Sequence, residues 1–387
     1  IKQFWTMTFN NRILVTGDFC PINRIANLLY KGNYEGIFNN FLPLIKESSL
    51  AITNLECPLT ESEQTIKKTG PLLKSSLRAA DALSFAGFTL VTLANNHIMD
   101  YGPDGLDSTI EVCKKHSIGI VGAGKDNISA REPVYRIVGD QIVAVLNFAE
   151  NEFSTTAGDF PGANPLNLID NFNDIRMAKA NADHVLVIVH GGHEMYNLPS
   201  PRIKSTYRFF ADAGASAVIG HHTHCYSGYE VYNGVPIFYS LGNFIFDNPE
   251  KRNSEWNTGF AVGLCFKNKI EFNIYPYVQC DNFPGVKRIE ENGRITFDNN
   301  IERINKIISD DSLLRNEFDD YCQRVKNLYL SHIEPHSIGL LHYLRNRQLF
   351  PSILSEKKKK LYLNLMRCES HREVLSTLLD RRMNQGK

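Results

Sequence analysis

The chain has 387 residues, with 42 basic and 42 acidic side chains, so its formal net charge is zero. This balance excludes a general nucleic-acid or membrane-surface binder, which would carry an excess of positive charge. The length allows two or three domains, or one large α/β unit with an appendage. The eight cysteines are scattered without CxxC spacing, which favours a reducing compartment.

The beginning of the chain carries no targeting signal that the sequence reveals. Residues 1–12 lack the long apolar stretch and small-residue cleavage site of a signal peptide, and no run of 18 apolar residues occurs. We therefore expect a cytoplasmic location for the sequence as given. The first residue is Ile1 rather than Met, so membrane association or export stays open if the N-terminus is incomplete.

Short β-branched apolar runs alternate with helical periods along the first three quarters of the chain, which is typical of an α/β fold with parallel strands. The runs are predicted to end at Asp18, Glu56, Asn96, His190 and Gly220. Helices are predicted near residues 23–30, 37–47, 76–86, 107–116 and 201–213. Antiparallel hairpins are predicted to turn at Gly139-Asp140, Asn233-Gly234 and Asn268-Lys269.

The pattern changes near residue 299, where helical periodicity replaces strand patterns. We therefore predict a main domain over residues 1–298 and a helical accessory region over 299–387. Ser370 and Glu373 have the spacing of a capping box that opens the last helix. The lysine run 357–360 is interpreted as a solvated helix face. The same surface interpretation applies to His332, His336, His342 and His371.

Potential metal ligands stand at the ends of five apolar runs. Ligands of open α/β sheets bind at the carboxyl ends of the strands, so these side chains are expected to converge. The stretch VIGHHTHC adds three histidines in four positions, and two of them, two apart on an extended segment, would point to the same side. Carboxylates, an amide and imidazoles together suit one or two ions of Mn²⁺, Fe²⁺ or Zn²⁺. The candidate ligands are Asp18, Glu56, Asn96, His190, His222 and His224.

Each of these residues also has a structural interpretation when it is taken alone. Asp18 fits a turn residue, Glu56 a strand-end charge and Asn96 a cap. His97 is a candidate general acid, and Asp100 is predicted either to orient that imidazole or to cap a turn. The stretch GIVGAGKD, residues 119–126, resembles a phosphate-binding loop but has Asp126 where a Ser or Thr would hold Mg²⁺, so a Gly-rich turn is favoured.

Six motifs in a fixed order carry a family resemblance: GDFCP (17–21), NLECPL (54–59), NNHIMDYG (95–102), HGGHE (190–194), GHHTH (220–224) and SLGNFIF (240–246). Together they resemble the CapA family of poly-γ-glutamate capsule-biosynthesis proteins over residues 12–298. That family is similar in turn to the calcineurin-like metallophosphoesterases. The resemblance implies a four-layer α/β/β/α sandwich with a C-terminal helical extension.

The resemblance also implies roles for individual residues. It implies the same six metal ligands, with Glu56 in the bridging position and His97 as the catalytic acid. Glu194 and Asn243 are the candidate substrate-binding residues. Asn243 would be placed to reach a substrate, and Glu194 would otherwise support the site or be a loop charge. His193 lies at a variable position and is interpreted as a surface residue. Cys20 replaces a histidine of the wider superfamily, which implies one metal with fewer ligands, or a single ion.

Three functions are compatible with these expectations. The first is metal-dependent hydrolysis of a phosphate ester. The second is hydrolysis or transfer on an anionic amide-linked polymer such as poly-γ-glutamate. The third is a non-catalytic assembly factor that handles such a polymer. The expected partner is thus an anionic substrate and not a nucleic acid, while the oligomeric state is not specified by the sequence.

Overall fold

Two mixed sheets form the centre of the computed structural model, which describes residues 11–156, 158–266, 269–333 and 355–379. Its strands, in chain order, are β1 Ile13–Cys20, β2 Leu50–Leu55, β3 Leu90–Thr92, β4 Gly119–Val121, β5 Ala123–Gly124, β6 Val134–Val138, β7 Gln141–Ala149, β8 Gly162–Ala163, β9 His184–His190, β10 Ala217–His221, β11 Tyr229–Tyr232, β12 Val235–Phe238, β13 Asn243–Phe246, β14 Thr258–Cys265, β15 Glu271–Gln279 and β16 Val286–Arg288.

The helices follow the strands in the alternation that the sequence predicts. They are α1 Arg24–Tyr30, α2 Tyr34–Phe38, α3 Leu42–Lys46, α4 Arg78–Ala86, α5 Gly102–Lys115, α6 Asn127–Arg131, α7 Leu168–Asn181, α8 Pro201–Ala213, α9 Glu291–Ser309, α10 Asp311–Ile333, α11 Glu356–Arg367 and α12 Glu369–Leu379. Short 3₁₀ turns occupy Asn39–Phe41, Pro249–Lys251 and Glu255–Asn257.

The first sheet has the order β16-β15-β14-β1-β2-β3-β4, with β13 pairing in parallel to the end of β1. The second sheet has the order β11-β12-β10-β9-β7-β6, and β5 pairs with β8 in a small third sheet. Strands β1 to β4 pair in parallel with one another, as do β7, β9, β10 and β12, while β14, β6 and β11 pair antiparallel to β1, β7 and β12. The predicted class of α/β fold with parallel strands is confirmed.

The two large sheets pack face to face, and helices cover their outer faces. Successive side chains of a strand point to opposite faces. In β1, Ile13 and Val15 share a core with Val143 and Val145 of β7 in the second sheet, whereas Leu14 packs in a separate core that includes Ile25 of α1. The layers are therefore helix, sheet, sheet and helix, which confirms the predicted four-layer sandwich.

Local signals placed most helix ends correctly. Gly87 adopts a left-handed conformation (φ 99°) after α4, as its position as C-cap predicts. Helix α5 starts at Gly102, five residues earlier than predicted, because Pro103 in its first turn has a backbone angle suited to a helix. The hairpins at 139–140 and 233–234 form, while the turn at 268–269 falls partly outside the described residues.

The Gly-rich stretch 119–126 forms two short strands, β4 and β5, with a bend at Gly122. It leads into α6, a helix of five residues that Asp126 caps through the backbone amide of Ser129 at 2.7 Å. The interpretation of the whole stretch as a Gly-rich turn is therefore wrong, because strand pairing extends over most of it. It lies beside the strand ends, next to the small sheet that β5 forms with β8.

The C-terminal helices share the core of the second sheet. Phe297 and Ile304 of α9, Phe318 of α10 and Val374 of α12 belong to the same buried cluster as β9 and β10. The predicted boundary after residue 298 therefore lies inside α9 and stays a prediction.

Among the described residues, no helix is long and apolar enough to cross a membrane. Three of the histidines interpreted as surface residues, 332, 336 and 342, have side chains outside the described part.

Candidate metal centre

The candidate ligands meet where parallel strands of both sheets end. Asp18 lies near the end of β1, and Glu56 and Asn96 lie just beyond β2 and β3. His190 is the last residue of β9 and pairs in register with His221, the last residue of β10. The two sheets thus bring their carboxyl edges together, as the sequence predicts.

His222 and His224 follow β10 in a turn and not on an extended strand. Their backbone φ angles are 93° and 59°, in the left-handed region that side chains with a Cβ rarely adopt. The expectation of an extended segment is therefore wrong. The two imidazoles still converge, with ring centroids 6.1 Å apart. Backbone strain of this kind is typical of functional sites.

One group of ligand-type atoms is formed by Glu56, His190 and His222, which offer atoms within 4.8 Å of one another. Nε2 of His190 lies 3.6 Å from Oε1 of Glu56 and 3.0 Å from Nδ1 of His222. The same nitrogen lies 3.0 Å from Oδ1 of Asn96. Nδ1 of His190 faces Nδ2 of Asn54 at 3.2 Å, which fixes the orientation of the ring.

A second group is formed by Asp18, Glu56 and His224, again within 4.8 Å. Nε2 of His224 lies 3.8 Å from Oε1 of Glu56, and Nδ1 lies 4.0 Å from Oδ2 of Asp18. Asn54 donates to Oδ1 of Asp18 at 2.7 Å, so this one amide contacts both groups. Glu56 belongs to both groups, which is the position that a bridging carboxylate would take.

The environment of Glu56 tests whether a cation fits. The side chain is fully buried, and both of its carboxylate oxygens lack a hydrogen-bond partner in the described part of the chain. Burial first, and then the negative charge of Asp18, raise the pKa of Glu56 well above its usual value. A buried carboxylate without a partner costs several kcal/mol, of order 5. One or two divalent cations would supply the missing partner, so the residues fit a metal centre.

His190 and His224 are held in the form that binds metal. Burial, followed by the positive charge of His222, lowers the pKa of His190 well below its usual value. Burial also lowers the pKa of His224, more than the nearby Glu194 and Asp18 raise it. Neutral imidazole is the ligating form. These two histidines are therefore ready to coordinate near neutral pH.

His97 is tied to Asp100, as one of the two predicted roles of Asp100 requires. Nδ1 of His97 lies 2.7 Å from Oδ2 of Asp100, and both side chains are buried. Asp100 also accepts a hydrogen bond from the backbone amide of Leu73 at 2.7 Å, which fixes the loop 56–77 over the site. Burial lowers the pKa of His97, while the hydrogen bond with Asp100 raises it.

Lys68 is a site residue that sequence analysis missed. Its ammonium pairs with Asp100 and lies 3.1 Å from Nδ1 of His97, and only 3% of its side chain is exposed. It comes from a loop without regular secondary structure. The only signal in the sequence is an unremarkable polar stretch, EQTIKKTG, which gives no reason to bury one of its two lysines.

The two residues predicted to contact a substrate occupy different surroundings. Glu194 is exposed and lines a cavity of about 490 Å³, together with His222, Glu152, Tyr321, Arg324 and His371. Asn243 is fully buried, and its amide oxygen lies 3.0 Å from Nδ1 of His224. Its amide nitrogen donates to the carbonyls of His224 and Trp256. Asn243 thus orients the imidazole of the candidate ligand His224.

The surface interpretation of His193 is wrong. The side chain is buried against Phe318 and Tyr321 of α10, and Nε2 lies 3.2 Å from the carbonyl of Ser370.

The replacement of a histidine by Cys20 also has a structural explanation. Cys20 is buried in a small apolar cluster with Cys57, Phe246 and Trp256, and burial raises its thiol pKa well above the usual value. It takes part in none of the ligand groups found among the described residues.

Comparison with known families is decisive for the lineage of the chain. Residues 12–248, more than half of the chain, match the family described as "Bacterial capsule synthesis protein PGA_cap". The chain belongs to this family. Its matched region contains every candidate ligand as well as His97, Asp100 and Asn243, so the predicted kinship is confirmed.

Curated relatives of this PGA_cap protein include "Capsule biosynthesis protein CapA" of Bacillus anthracis, 33% identical over 62% of this chain and 61% of the relative. "PGA biosynthesis protein CapA" of Bacillus subtilis is 35% identical over 60% of this chain and 62% of the relative. A "probable polyglutamine synthesis accessory protein" of Mycobacterium tuberculosis is 26% identical over 52% of this chain and 56% of the relative. The matches thus span about three-fifths of these relatives.

Solved structures that superpose on the PGA_cap chain do so only in part. A 5'-nucleotidase from Candida albicans aligns with a TM-score of 0.39 and 12% identity, over 70% of this chain and 52% of the nucleotidase. A Thermus thermophilus protein aligns with a TM-score of 0.38 and 11% identity, over 68% of this chain and 98% of that protein.

Proposed function

We propose that this PGA_cap protein is a metal-dependent hydrolase of phosphate esters that serves the synthesis of a capsule or exopolymer. The observation that carries the proposal is the pair of ligand groups that share Glu56, whose buried oxygens lack partners within the described residues. A buried carboxylate of this kind among three histidines destabilises a folded core. In a hydrolytic metal centre, the same carboxylate would bind the metal ions.

The proposed ligands are Asp18, Glu56, Asn96, His190, His222 and His224, holding one or two ions of Mn²⁺, Fe²⁺ or Zn²⁺. A divalent ion held by these residues would polarise a phosphoryl oxygen and lower the pKa of bound water. The chain's own residues hold the ligands in place. Asn54 contacts both Asp18 and His190, and Asn243 orients His224.

His97 is the proposed general acid. Its Nδ1 is engaged by Asp100 at 2.7 Å, which leaves Nε2 to deliver a proton to the leaving oxygen. Burial lowers the pKa of His97 overall, and the hydrogen bond with Asp100 offsets part of this shift in favour of the protonated form that an acid needs. Lys68 positions this pair from the solvent side of the loop and does not itself contact the reacting atoms.

The cavity beside the centre gives the proposal its substrate class. His222, Glu194 and Arg324 of α10 are among the residues that line it. Its volume of about 490 Å³ is that of a site for a small molecule or the end of a chain. Arg324 offers a fixed positive charge to an anionic group such as a phosphate.

The test measures metal content together with hydrolysis of an aryl phosphodiester and an aryl phosphomonoester, with and without Mn²⁺. Wild type is expected to bind metal and to turn over with Mn²⁺, and His222→Ala is expected to lose both. His116→Ala is the matched control, because His116 pairs with Asp81 at the partly exposed end of α5. Metal-binding wild type without phosphatase activity would overturn the proposal.

A second candidate function rests on the names of the relatives, one of which is a PGA biosynthesis protein. In that case the same centre would act on an amide-linked anionic polymer such as poly-γ-glutamate. Cleavage of a γ-glutamyl peptide by wild type, lost in His222→Ala and unaccompanied by phosphate release, would favour it. A non-catalytic assembly role predicts neither activity.

A further inference from the structure

A second cluster of metal-ligand side chains lies outside the proposed centre. Glu152, Cys368 and His371 offer one ligand atom each within 4.8 Å of one another. Glu152 belongs to the loop that follows β7. Cys368 stands between α11 and α12, and His371 lies in the first turn of α12. The cluster thus joins the end of the second sheet to the C-terminal helices.

The three donors are those of a zinc site. A thiolate, an imidazole and a carboxylate are all common zinc ligands, and three protein ligands with one open position form a recognised arrangement. Around a tetrahedral zinc ion, ligand atoms stand about 3.5 Å apart, given bonds of about 2.0 to 2.3 Å. Atoms that already lie within 4.8 Å need to approach by only about 1 Å.

The surroundings orient these donors as partners of zinc ligands usually do. Nδ1 of His371 lies 2.8 Å from the hydroxyl of Tyr329, which fixes the ring and leaves Nε2 for the ion. Cys368 is 2% exposed, and its sulfur lies 3.9 Å from Oε2 of Glu150. A buried thiol beside a carboxylate is an unfavourable place for a thiolate, unless a cation shares it.

Glu150 and Glu152 differ in whether a cation and hydrogen bonds neutralise the negative charge of the carboxylate. Glu150 is paired with Arg202 at 2.6 Å and accepts a hydrogen bond from Ser370 at 2.5 Å. Glu152 accepts no hydrogen bond on its side chain within the described residues, and its ion pair there, with Nε2 of His222, spans 3.8 Å. The guanidinium of Arg202 neutralises Glu150. The carboxylate of Glu152 is therefore available to bind a metal ion.

We propose that Glu152, Cys368 and His371 bind a zinc ion, separate from the proposed phosphoesterase centre, that fixes the C-terminal helices beside it. Binding forms bonds from the sulfur of Cys368, a ring nitrogen of His371 and a carboxylate oxygen of Glu152, and the thiol proton leaves to solvent. The proposal does not rest on the proposed function, although Glu152 also lies 3.8 Å from His222. It would position Arg324 and Tyr329, which line the same cavity.

Cobalt substitution tests this site without any assay of activity. The proposed phosphoesterase ligands are all oxygen and nitrogen donors, so a sulfur-to-cobalt charge-transfer band reports only on a thiolate site. Co²⁺ titrated to saturation into the metal-free full chain is expected to produce that band with the intensity of one thiolate-bound ion per chain. Cys368→Ser is expected to lose it. Cys113→Ser is the matched control, since Cys113 is buried on the inner face of α5, and it is expected to keep the band.

Two outcomes would overturn the proposal. One is a wild-type protein that binds Co²⁺ without the charge-transfer band. The other is a band that survives in Cys368→Ser and disappears in Cys20→Ser, which would place the thiolate at the phosphoesterase centre. His371→Ala guards against a misfolded Cys368 variant. It keeps the thiol, and it is expected to weaken Co²⁺ binding at the thiolate site at least about tenfold, while His116→Ala leaves it unchanged.

Discussion

Two buried polar clusters lie side by side in this molecule, and they differ in whether their charges have partners. In the candidate metal centre, Glu56 is fully buried with both oxygens unpartnered in the described part of the chain. In what we call the Arg202 network (Glu150, Arg202, Ser200, Ser370 and Glu373), the guanidinium contacts Glu150 at 2.6 Å and Glu373 at 3.0 Å. Ser200 and Ser370 donate to the two carboxylates.

The pKa values of the two glutamates follow this difference. Both are buried, and burial raises the pKa of each. For Glu150, the charge of Arg202 and the hydrogen bond from Ser370 outweigh burial and bring the pKa to about 2. For Glu56, the negative charge of Asp18 adds to burial, and the pKa rises well above its usual value. A matched buried charge therefore indicates structure, whereas an unmatched one indicates a ligand that belongs there.

The largest effect is expected from Glu56→Gln. The amide is neutral and a poor bridging ligand, so bound metal and Mn²⁺-dependent hydrolysis should fall by at least about 10²-fold, more than is typical for groups that only orient a ligand. The metal-free protein should be no less stable than wild type, because the substitution removes an unmatched buried charge. Metal analysis, phosphoesterase rates and urea unfolding in chelator would measure all three.

For Arg202→Ala in the Arg202 network, we expect the opposite effect on stability: the metal-free protein should become less stable. The substitution leaves Glu150 and Glu373 buried without their cation, which should lower the free energy of unfolding by about 3–5 kcal/mol. Urea denaturation of the metal-free protein measures it. Lys359→Ala is the control, since Lys359 and Glu356 form an exposed pair that should contribute nothing measurable. An Arg202 variant as stable as the control would contradict the comparison.

Sequence analysis could predict that the candidate ligands converge, because the ends of apolar strands can be recognised in a sequence. Apolar runs end at Asp18, Glu56 and His190, and the parallel topology then brings those ends to one edge. The turn at His222 was not readable, because the left-handed backbone there depends on tertiary contacts and not on residue type. Lys68 and Glu152 were missed for the same reason: they sit on loops whose course only the folded chain defines.

The Arg202 network shows how a correct local signal can be overridden. Ser370 and Glu373 have capping-box spacing, and the prediction of that box is wrong. Ser370 donates to Glu150, and Glu373 binds Ser200 and Arg202 on the neighbouring helix α8. Charged partners form stronger hydrogen bonds than a backbone amide does, so the tertiary contact prevails over the local one. His193 was misjudged because α10 covers it.

A smaller effect is expected from Lys68→Met, which extends the comparison to a buried cation at the site. Lys68 pairs with Asp100 and lowers the pKa of His97. Its loss should reduce kcat about 10–100-fold through misplacement of His97, with little change in KM. The pKa of His97 should rise, so the activity that depends on protonated His97 should persist to higher pH. Lys67→Met, at an exposed neighbouring position, should change neither the rate nor the pH profile.

The smallest effect is expected from Glu230→Gln, at a matched pair that is only partly buried. Burial raises the pKa of Glu230, but the hydrogen bonds from Arg208 and Tyr239 lower it by a larger amount. The net shift of the pKa is therefore downward. A lowered carboxyl pKa stabilises the fold above the usual pKa of about 4.5, and this contribution is lost as the pH falls through the lowered value. At neutral pH the variant should be less stable by about 1 kcal/mol. Urea unfolding should show this difference shrinking toward zero as the pH is lowered. A difference that stayed constant with pH would mean that shape, and not the matched charge, explains the role of Glu230, and would limit the comparison to fully buried clusters.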